Sequence, residues 1–123
     1  MAERPVLKRV WDCDRITAVD GAEVQELLHP DRDGVDLPYS LAIARVEVGD
    51  HTAPHRLDHA EVYHVLDGRG LAHVDDASFE ITVGDALLIP AGARQWIENI
   101  GAEPLRFAAI VSPPWRAEID RRV

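Results

Sequence analysis

The stretch from residue 51 to residue 70, HTAPHRLDHAEVYHVLDGRG, concentrates the residue types of this chain that can do chemistry. Imidazole nitrogens and carboxylate oxygens bind transition metals and transfer protons. The stretch holds four of the six histidines and one central carboxylate, namely His51, His55, His59, His64 and Glu61. It therefore predicts a metal site, a catalytic cluster, or a polar strand that is merely rich in histidine.

The backbone of this stretch is predicted to be extended and to turn once. A helix would place His51, His55 and His59 on one face, but Pro54 would break its hydrogen bonding. On a straight strand, at about 3.3 Å per residue, His55 and Glu61 would stand roughly 20 Å apart. Two ligands of one ion must each lie about 2 Å from it. A shared site therefore requires the chain to turn within residues 56–60.

The elements that must position this stretch are predicted to be β-strands. Short runs rich in β-branched and aromatic residues alternate with turns that contain Gly, Pro and Asp, which is typical of an all-β sandwich or barrel. The predicted runs are 22–29, 39–48, 61–66, 71–74, 78–83 and 105–112. We expect one domain over 1–123, with an N-terminal arm (1–20), a barrel core (39–112) and a C-terminal tail (113–123).

Composition excludes several classes of function. The chain has 123 residues and a formal net charge of −9, which argues against binding to nucleic acids and to anionic membranes. Cys13 is the only cysteine, so no disulfide can form within the chain. The sequence has neither an apolar leader nor a run of apolar residues long enough to span a bilayer. We expect a cytoplasmic protein.

Two spaced patterns resemble the conserved motifs of the cupin family. The first pattern consists of Gly49, His55, Leu57, Glu61 and Gly68, and the second of Gly84, Pro90, Gly92, Gln95 and Asn99. The chain is similar in style to small cupins labelled mannose-6-phosphate-isomerase-like. The resemblance implies an all-β, cupin-type jelly-roll β-barrel with an internal pocket, commonly assembled as a homodimer. The arm with Val6 and Val10, or the strand 22–29, is expected to cover an open sheet edge in that dimer.

The resemblance also implies a metal-ligand set, from which this chain departs at two positions. Two His and one Glu of the first motif and one His of the second usually bind a divalent metal. His55 and Glu61 match, but Leu57 and Gln95 occupy the other two positions. We predict that His55, Glu61, His59 and Gln95 are the ligands, and Tyr63 is an alternative fourth one. His55 and Glu61 are expected to converge inside the barrel, with Gln95 facing them across the pocket. Such a set suits Zn, Fe, Ni, Mn or Cu.

Two classes of function remain open. In the first, the protein is a metal-dependent enzyme that acts on a small polar metabolite, with Glu61 or Tyr63 moving protons. Isomerisation, condensation, lyase chemistry and dioxygenation all occur on the cupin scaffold. In the second, the protein binds a small molecule without metal or catalysis. His55 would then form a hydrogen bond to Glu61 or Gln95, and the side-chain amide of Gln95 could form a hydrogen bond to the ligand.

Overall fold

The computed structural model describes residues 4–123, and within them the regular secondary structure is almost entirely β. A four-residue helix, Pro30–Asp33, and two short 3-10 turns, Val10–Asp12 and Ala117–Ile119, are the other regular elements of this range. The strands in chain order are β1 (Ile16–Thr17), β2 (Glu23–Leu28), β3 (Ser40–Val46), β4 (His55–Leu57), β5 (Ala60–Asp67), β6 (Arg69–Val74), β7 (Ala77–Thr82), β8 (Ala86–Ile89), β9 (Arg94–Asn99), β10 (Leu105–Ser112) and β11 (Asp120–Arg122).

The strands form two antiparallel sheets that face each other across one core. The six-stranded sheet has the order β1-β2-β3-β10-β5-β8, and the five-stranded sheet has the order β11-β4-β9-β6-β7. Inward-facing apolar side chains from both sheets fill the space between them, among them Val65, Ile97, Leu105 and Phe107, each no more than 2% exposed. This arrangement confirms the predicted jelly-roll.

Each of the six predicted runs overlaps an observed strand, and the run 105–112 matches β10 at both ends. Strands β8 and β9 lie inside the second motif, where glycine and proline turns interrupt the apolar pattern. The predicted turn between His55 and Glu61 is present, because β4 ends at Leu57 and β5 begins at Ala60. The chain crosses there from the five-stranded sheet to the six-stranded sheet.

Motif residues at the strand ends hold the turns. Gly68 has a φ of 83°, and a Cβ at this position would lie 2.8 Å from the carbonyl oxygen of Pro104, so only glycine fits. The side-chain amide of Asn99 donates to the carbonyl oxygens of Val46 and Glu103. Asn99 thus satisfies backbone groups at a strand end.

Short strands near both ends of the described range pair with the sheets. Strand β2, which was expected as one candidate to cover an open sheet edge in a dimer, is already paired within the chain, with β1 at its start on one side and with β3 on the other. Strand β11 pairs with β4, and Asp120 lies opposite Leu57. Residues 1–3 of the predicted arm lie outside the described residues. No helix among residues 4–123 is long and apolar enough to cross a membrane.

Candidate functional site

His55 lies at the start of β4 with its side chain turned into the space between the sheets. Its side chain is 5% exposed. Nδ1 lies 2.9 Å from Oδ1 of Asp120, which also accepts a hydrogen bond from Trp115 Nε1 through Oδ2 at 2.9 Å. Nε2 lies 3.3 Å from Oδ2 of Asp20 but is not aligned for a hydrogen bond, and it has no other partner in the described part of the chain.

Glu61 lies on β5 in the facing sheet, and Gln95 connects it to the other side of the core. Nε2 of Gln95 donates to Oε1 of Glu61 at 2.6 Å and to the hydroxyl oxygen of Tyr63 at 3.0 Å. All three side chains are buried. Since Gln95 is on β9 and its two acceptors are on β5, this one amide joins the two sheets.

The position of Gln95 differs from the prediction in one respect. We expected Gln95 to face His55 across the pocket, whereas the two residues are direct neighbours in the β4–β9 pairing. His55 was also expected to bond to Glu61 or Gln95 in the absence of a metal, but its Nδ1 partner is Asp120. The reason is that β11 returns to β4 and brings a carboxylate that neither motif contains.

Burial shifts the proton affinities of this cluster. It raises the pKa of Glu61 to about 7, against the lowering effects of the hydrogen bond from Gln95 and the nearby His55. Burial also raises the pKa of Tyr63 well above its usual value, and the charge of Glu61 adds to this effect. Burial lowers the pKa of His55, but the hydrogen bond to Asp120 and the charge of Asp20 outweigh it, so the net shift is upward.

The cluster lines a cavity of about 180 Å³ that lies between the sheets. Its polar wall includes His55, Glu61, Tyr63, Asp20 and Asp120. Its apolar wall includes Ala22, Val24, Ala42, Ala44, Leu57, Phe107, Ala109 and Val111. A concave, mostly apolar pocket with a few convergent polar groups is the usual form of a small-molecule site.

The remaining histidines singled out in the sequence lie elsewhere. Nδ1 of His59 is 2.8 Å from the carbonyl oxygen of Pro113, and His59 is not among the residues that line the cavity. His64 is exposed on β5, on the opposite face from Tyr63. His51 and His73 flank Trp96 on the other face of β9 from Gln95. The structure thus brings His55, Glu61, Tyr63 and Gln95 together and leaves His59 outside.

Asp20 and Asp120 are the residues of the site that sequence reasoning missed. Asp20 lies in the turn between β1 and β2, where its Oδ1 accepts a hydrogen bond from the backbone amide of Ala22. Asp120 opens β11 near the end of the chain. Neither lies in a recognisable motif. Only general features of the sequence pointed to these positions. An aspartate next to a glycine is typical of a turn, and the tail 113–123 contains a short alternating run that is typical of a strand.

With this geometry in place, comparison with known proteins assigns the chain to a family. The Cupin_2 family, described as a cupin domain, matches residues 42–111. An uncharacterised protein of Methanocaldococcus jannaschii is 42% identical over 101 residues, which cover 80% of this chain and 79% of that protein. The chain belongs to the cupin domain family.

Solved structures of low sequence identity share the fold. A protein from Thermotoga maritima described as a predicted oxalate decarboxylase has a TM-score of 0.75 at 23% identity, over 88% of this chain and 99% of that one. A Cupin 2 conserved barrel domain protein from Salinispora arenicola has a TM-score of 0.75 at 19% identity, over 95% and 93% of the two chains. A mutant of Bacillus subtilis oxalate decarboxylase has a TM-score of 0.80 at 23% identity, and this chain covers 31% of it. These likenesses establish the fold.

The residues present fit the divalent metal implied by the cupin resemblance only in part. His55 has the arrangement of a metal-ligating histidine, because a carboxylate holds Nδ1 and Nε2 has no hydrogen bond. Among residues 4–123, however, no group of three His, Cys, Asp or Glu side chains is placed to hold an ion. Leu57 and Gln95 stand where the family resemblance implies histidines, and His59 does not replace them.

Proposed function

We propose that this cupin binds a small polar molecule in the cavity between its sheets and that His55 and Glu61 are the groups that contact it. The observation that carries the proposal is the unpartnered Nε2 of His55, which is buried and belongs to a residue lining a cavity of about 180 Å³. A buried polar atom without a partner is costly, and a ligand that bonds to it would remove the cost.

Glu61 is the side chain best suited to exchange a proton with such a molecule. With a pKa of about 7 it can act as either acid or base near neutral pH. A tyrosine is protonated near neutral pH, and burial raises the pKa of Tyr63 further, so Tyr63 would act as a hydrogen-bond donor. The proposed catalytic residues are therefore Glu61 and Tyr63, with Gln95 holding both in place.

A pocket-filling variant tests this function. Ala109 is buried and lines the cavity, so Ala109→Leu would occupy part of the space. Ala77→Leu adds the same atoms at an exposed position on β7 and is the matched control. Saturation-transfer NMR with the neutral probe benzyl alcohol at millimolar concentration should detect binding to the wild type and to Ala77→Leu, but not to Ala109→Leu. Equal binding by all three proteins would contradict the proposal.

A divalent metal at the same site is the second candidate, and the free Nε2 of His55 is the observation that favours it. Its ligands would be His55 and Glu61, completed by Gln95, Tyr63 or a rearranged His59. Metal analysis of protein purified without a histidine tag should then find one equivalent of Zn, Fe, Ni, Mn or Cu. His55→Ala and Glu61→Ala should remove that equivalent, while His64→Ala and His73→Ala should keep it. A metal-free wild type that gains no thermal stability from these ions would end this candidate.

We further propose that the protein forms a homodimer. Strand β8 is one edge of the six-stranded sheet and strand β7 is one edge of the five-stranded sheet, and Phe79, Val83 and Leu88 are exposed on or between them. Open edges and exposed apolar side chains favour pairing between subunits. Light scattering at micromolar concentration should give twice the mass of the chain, and Leu88→Lys should reduce it. A wild type of monomer mass would contradict this proposal.

A further inference from the structure

The ionisable groups that line the cavity are strongly unbalanced in sign. Four carboxylates, namely Asp20, Glu26, Glu61 and Asp120, share the lining with the single imidazole of His55. No lysine or arginine is among the lining residues within the described range. The field inside the cavity therefore favours positive charge.

Glu26 is balanced by an ion pair with Arg32 at 2.9 Å, but the existing contacts do not balance the other three carboxylates. Asp120 has a partner on each oxygen, Trp115 and His55. Asp20 faces the same imidazole at 3.3 Å without an aligned hydrogen bond, and Glu61 has only the neutral amide of Gln95 on its Oε1. One imidazole thus serves three buried acids, although a buried charge is stable only when it is paired. The raised pKa values of Glu61 and Asp20 agree with this shortage of positive partners.

The rest of the lining is apolar and sets the size of what can enter. Val24, Ala44, Phe107, Ala109 and Val111 contribute aliphatic and aromatic surface. A cavity of about 150 Å³ lined by apolar side chains can hold a benzene ring. The cavity of about 180 Å³ therefore has room for a body of that size together with one polar group.

We infer that the ligand of this site carries a positively charged nitrogen group, a primary ammonium or an amidinium, on a small apolar body. The inference rests on the proposed function of the cavity as a binding site. The N–H donors of such a group would bond to Glu61 and Asp20, and the apolar body would pack against the aliphatic lining. A carboxylate or a phosphate would enter a field of the wrong sign, with no lysine or arginine in the lining to receive it.

Three probes of one shape test the sign of the charge. Benzylamine, benzyl alcohol and benzoate share a ring and differ in the polar group, and their affinities for chelator-treated protein can be measured by calorimetry or NMR titration at neutral pH. We expect benzylamine to bind about tenfold tighter than benzyl alcohol, and benzoate to bind weaker than both. Benzoate or benzyl alcohol binding as tightly as benzylamine would overturn the inference while leaving the proposed function intact. Failure of all three probes to bind would count against both.

Neutral isosteric substitutions test which carboxylates cause the preference for a cationic probe. Glu61→Gln and Asp20→Asn keep the shape of the side chain and remove its charge, so each should reduce the preference for benzylamine over benzyl alcohol severalfold. Glu103→Gln makes the same change at an exposed residue that does not line the cavity, and it should leave the preference unchanged. Circular dichroism and thermal melting check that each variant is folded. A preference that survives in both cavity variants would overturn the inference.

A final titration distinguishes binding of an organic cation from binding of a metal ion. Zn²⁺, Ni²⁺ and Mn²⁺ are titrated alone into the chelator-treated protein and then in the presence of benzylamine. Benzylamine binding without any metal supports the organic cation. Stoichiometric binding of one of these ions that excludes benzylamine would assign the negative charge to a metal and overturn the inference.

Discussion

His55 and His73 lie on the same sheet, and each has a buried Nε2 without a hydrogen bond among the described residues. His55 faces the core, where Asp120 and Asp20 surround its ring. His73 stacks on Trp96, with ring centroids 3.9 Å apart and an interplanar angle of 8°, and its Nδ1 lies 3.0 Å from the Ser78 hydroxyl. Its Nε2 is 3.5 Å from a carboxylate oxygen of Glu98.

This comparison shows that a buried imidazole Nε2 without a hydrogen bond does not by itself define a functional site. Both rings have a carboxylate beside them, but of the two only His55 lines the cavity between the sheets. The side chain of His73 is 21% exposed, and its Nε2 lies beside the side chain of Glu98. Function is therefore proposed for the inner histidine, and packing is the better account of the outer one.

The largest expected difference between the two regions concerns their carboxylates. Asp120→Ala would leave His55 Nδ1 and Trp115 Nε1 buried without their acceptor, which should lower the free energy of unfolding by about 3 kcal/mol. Glu98→Ala removes a side chain that is 35% exposed and should cost less than about 1 kcal/mol. Urea denaturation measures both. Equal losses would mean that the inner cluster is no more tightly coupled than the outer one.

The second difference is in pH dependence. The folded protein holds the proton of Glu61 up to a pKa of about 7, whereas the unfolded chain releases it near the ordinary value of 4.5. The folded state thus binds more protons between these values, and stability falls as pH rises through that window. His55 and Asp20 also have raised pKa values, so their contributions have the same sign.

We therefore expect the wild type to lose stability between about pH 5 and about pH 8, with roughly 2 kcal/mol of the loss due to Glu61. Glu61→Gln should remove that part of the slope, and Glu103→Gln, at an exposed site, should keep it. Thermal melting across the pH range gives the slopes. A slope in Glu61→Gln equal to that of the wild type would show that Glu61 does not carry the proton.

The third prediction concerns a variant in which histidines replace the two residues that depart from the metal-ligand set of the cupin family. In Leu57→His/Gln95→His, two imidazoles would join His55 and Glu61 at the positions that the cupin resemblance implies. Four strong ligands should bind Zn²⁺ about tenfold tighter, or more, than the wild-type residues do. Calorimetry with Zn²⁺ measures the gain. Wild-type binding of equal strength would show that this chain already has a complete ligand set.

The smallest effect is expected on the outer face. His73→Ala removes the stacking on Trp96 and should lower the free energy of unfolding by about 1 kcal/mol, without changing the affinity for benzylamine. His55→Ala, which removes a side chain that lines the cavity, should change that affinity severalfold. Urea denaturation and probe titration of the two variants separate the roles. Loss of benzylamine binding in His73→Ala would break the distinction between the two regions.

Much of the fold was readable from local features of the sequence. Strand β10 follows from a mainly apolar run of residues, and the positive φ of Gly68 follows from its place between two strands. The turn between His55 and Glu61 was required by distance alone, since a straight strand would hold them apart. The spacing of the second motif then predicted that Gln95 belongs to the same site. Strand periodicity and turn residues depend on a few neighbouring positions, so they can be recognised in a single sequence.

Tertiary structure decided which groups surround these residues. Asp20 reaches His55 from 35 positions upstream and Asp120 from 65 positions downstream, because β4 pairs with the last strand of the chain and the turn after β1 packs nearby. His59 fell outside the site because the turn that joins the sheets directs its ring toward the carbonyl group of Pro113. Contacts of such separation depend on the pairing of whole strands, to which local propensity contributes little.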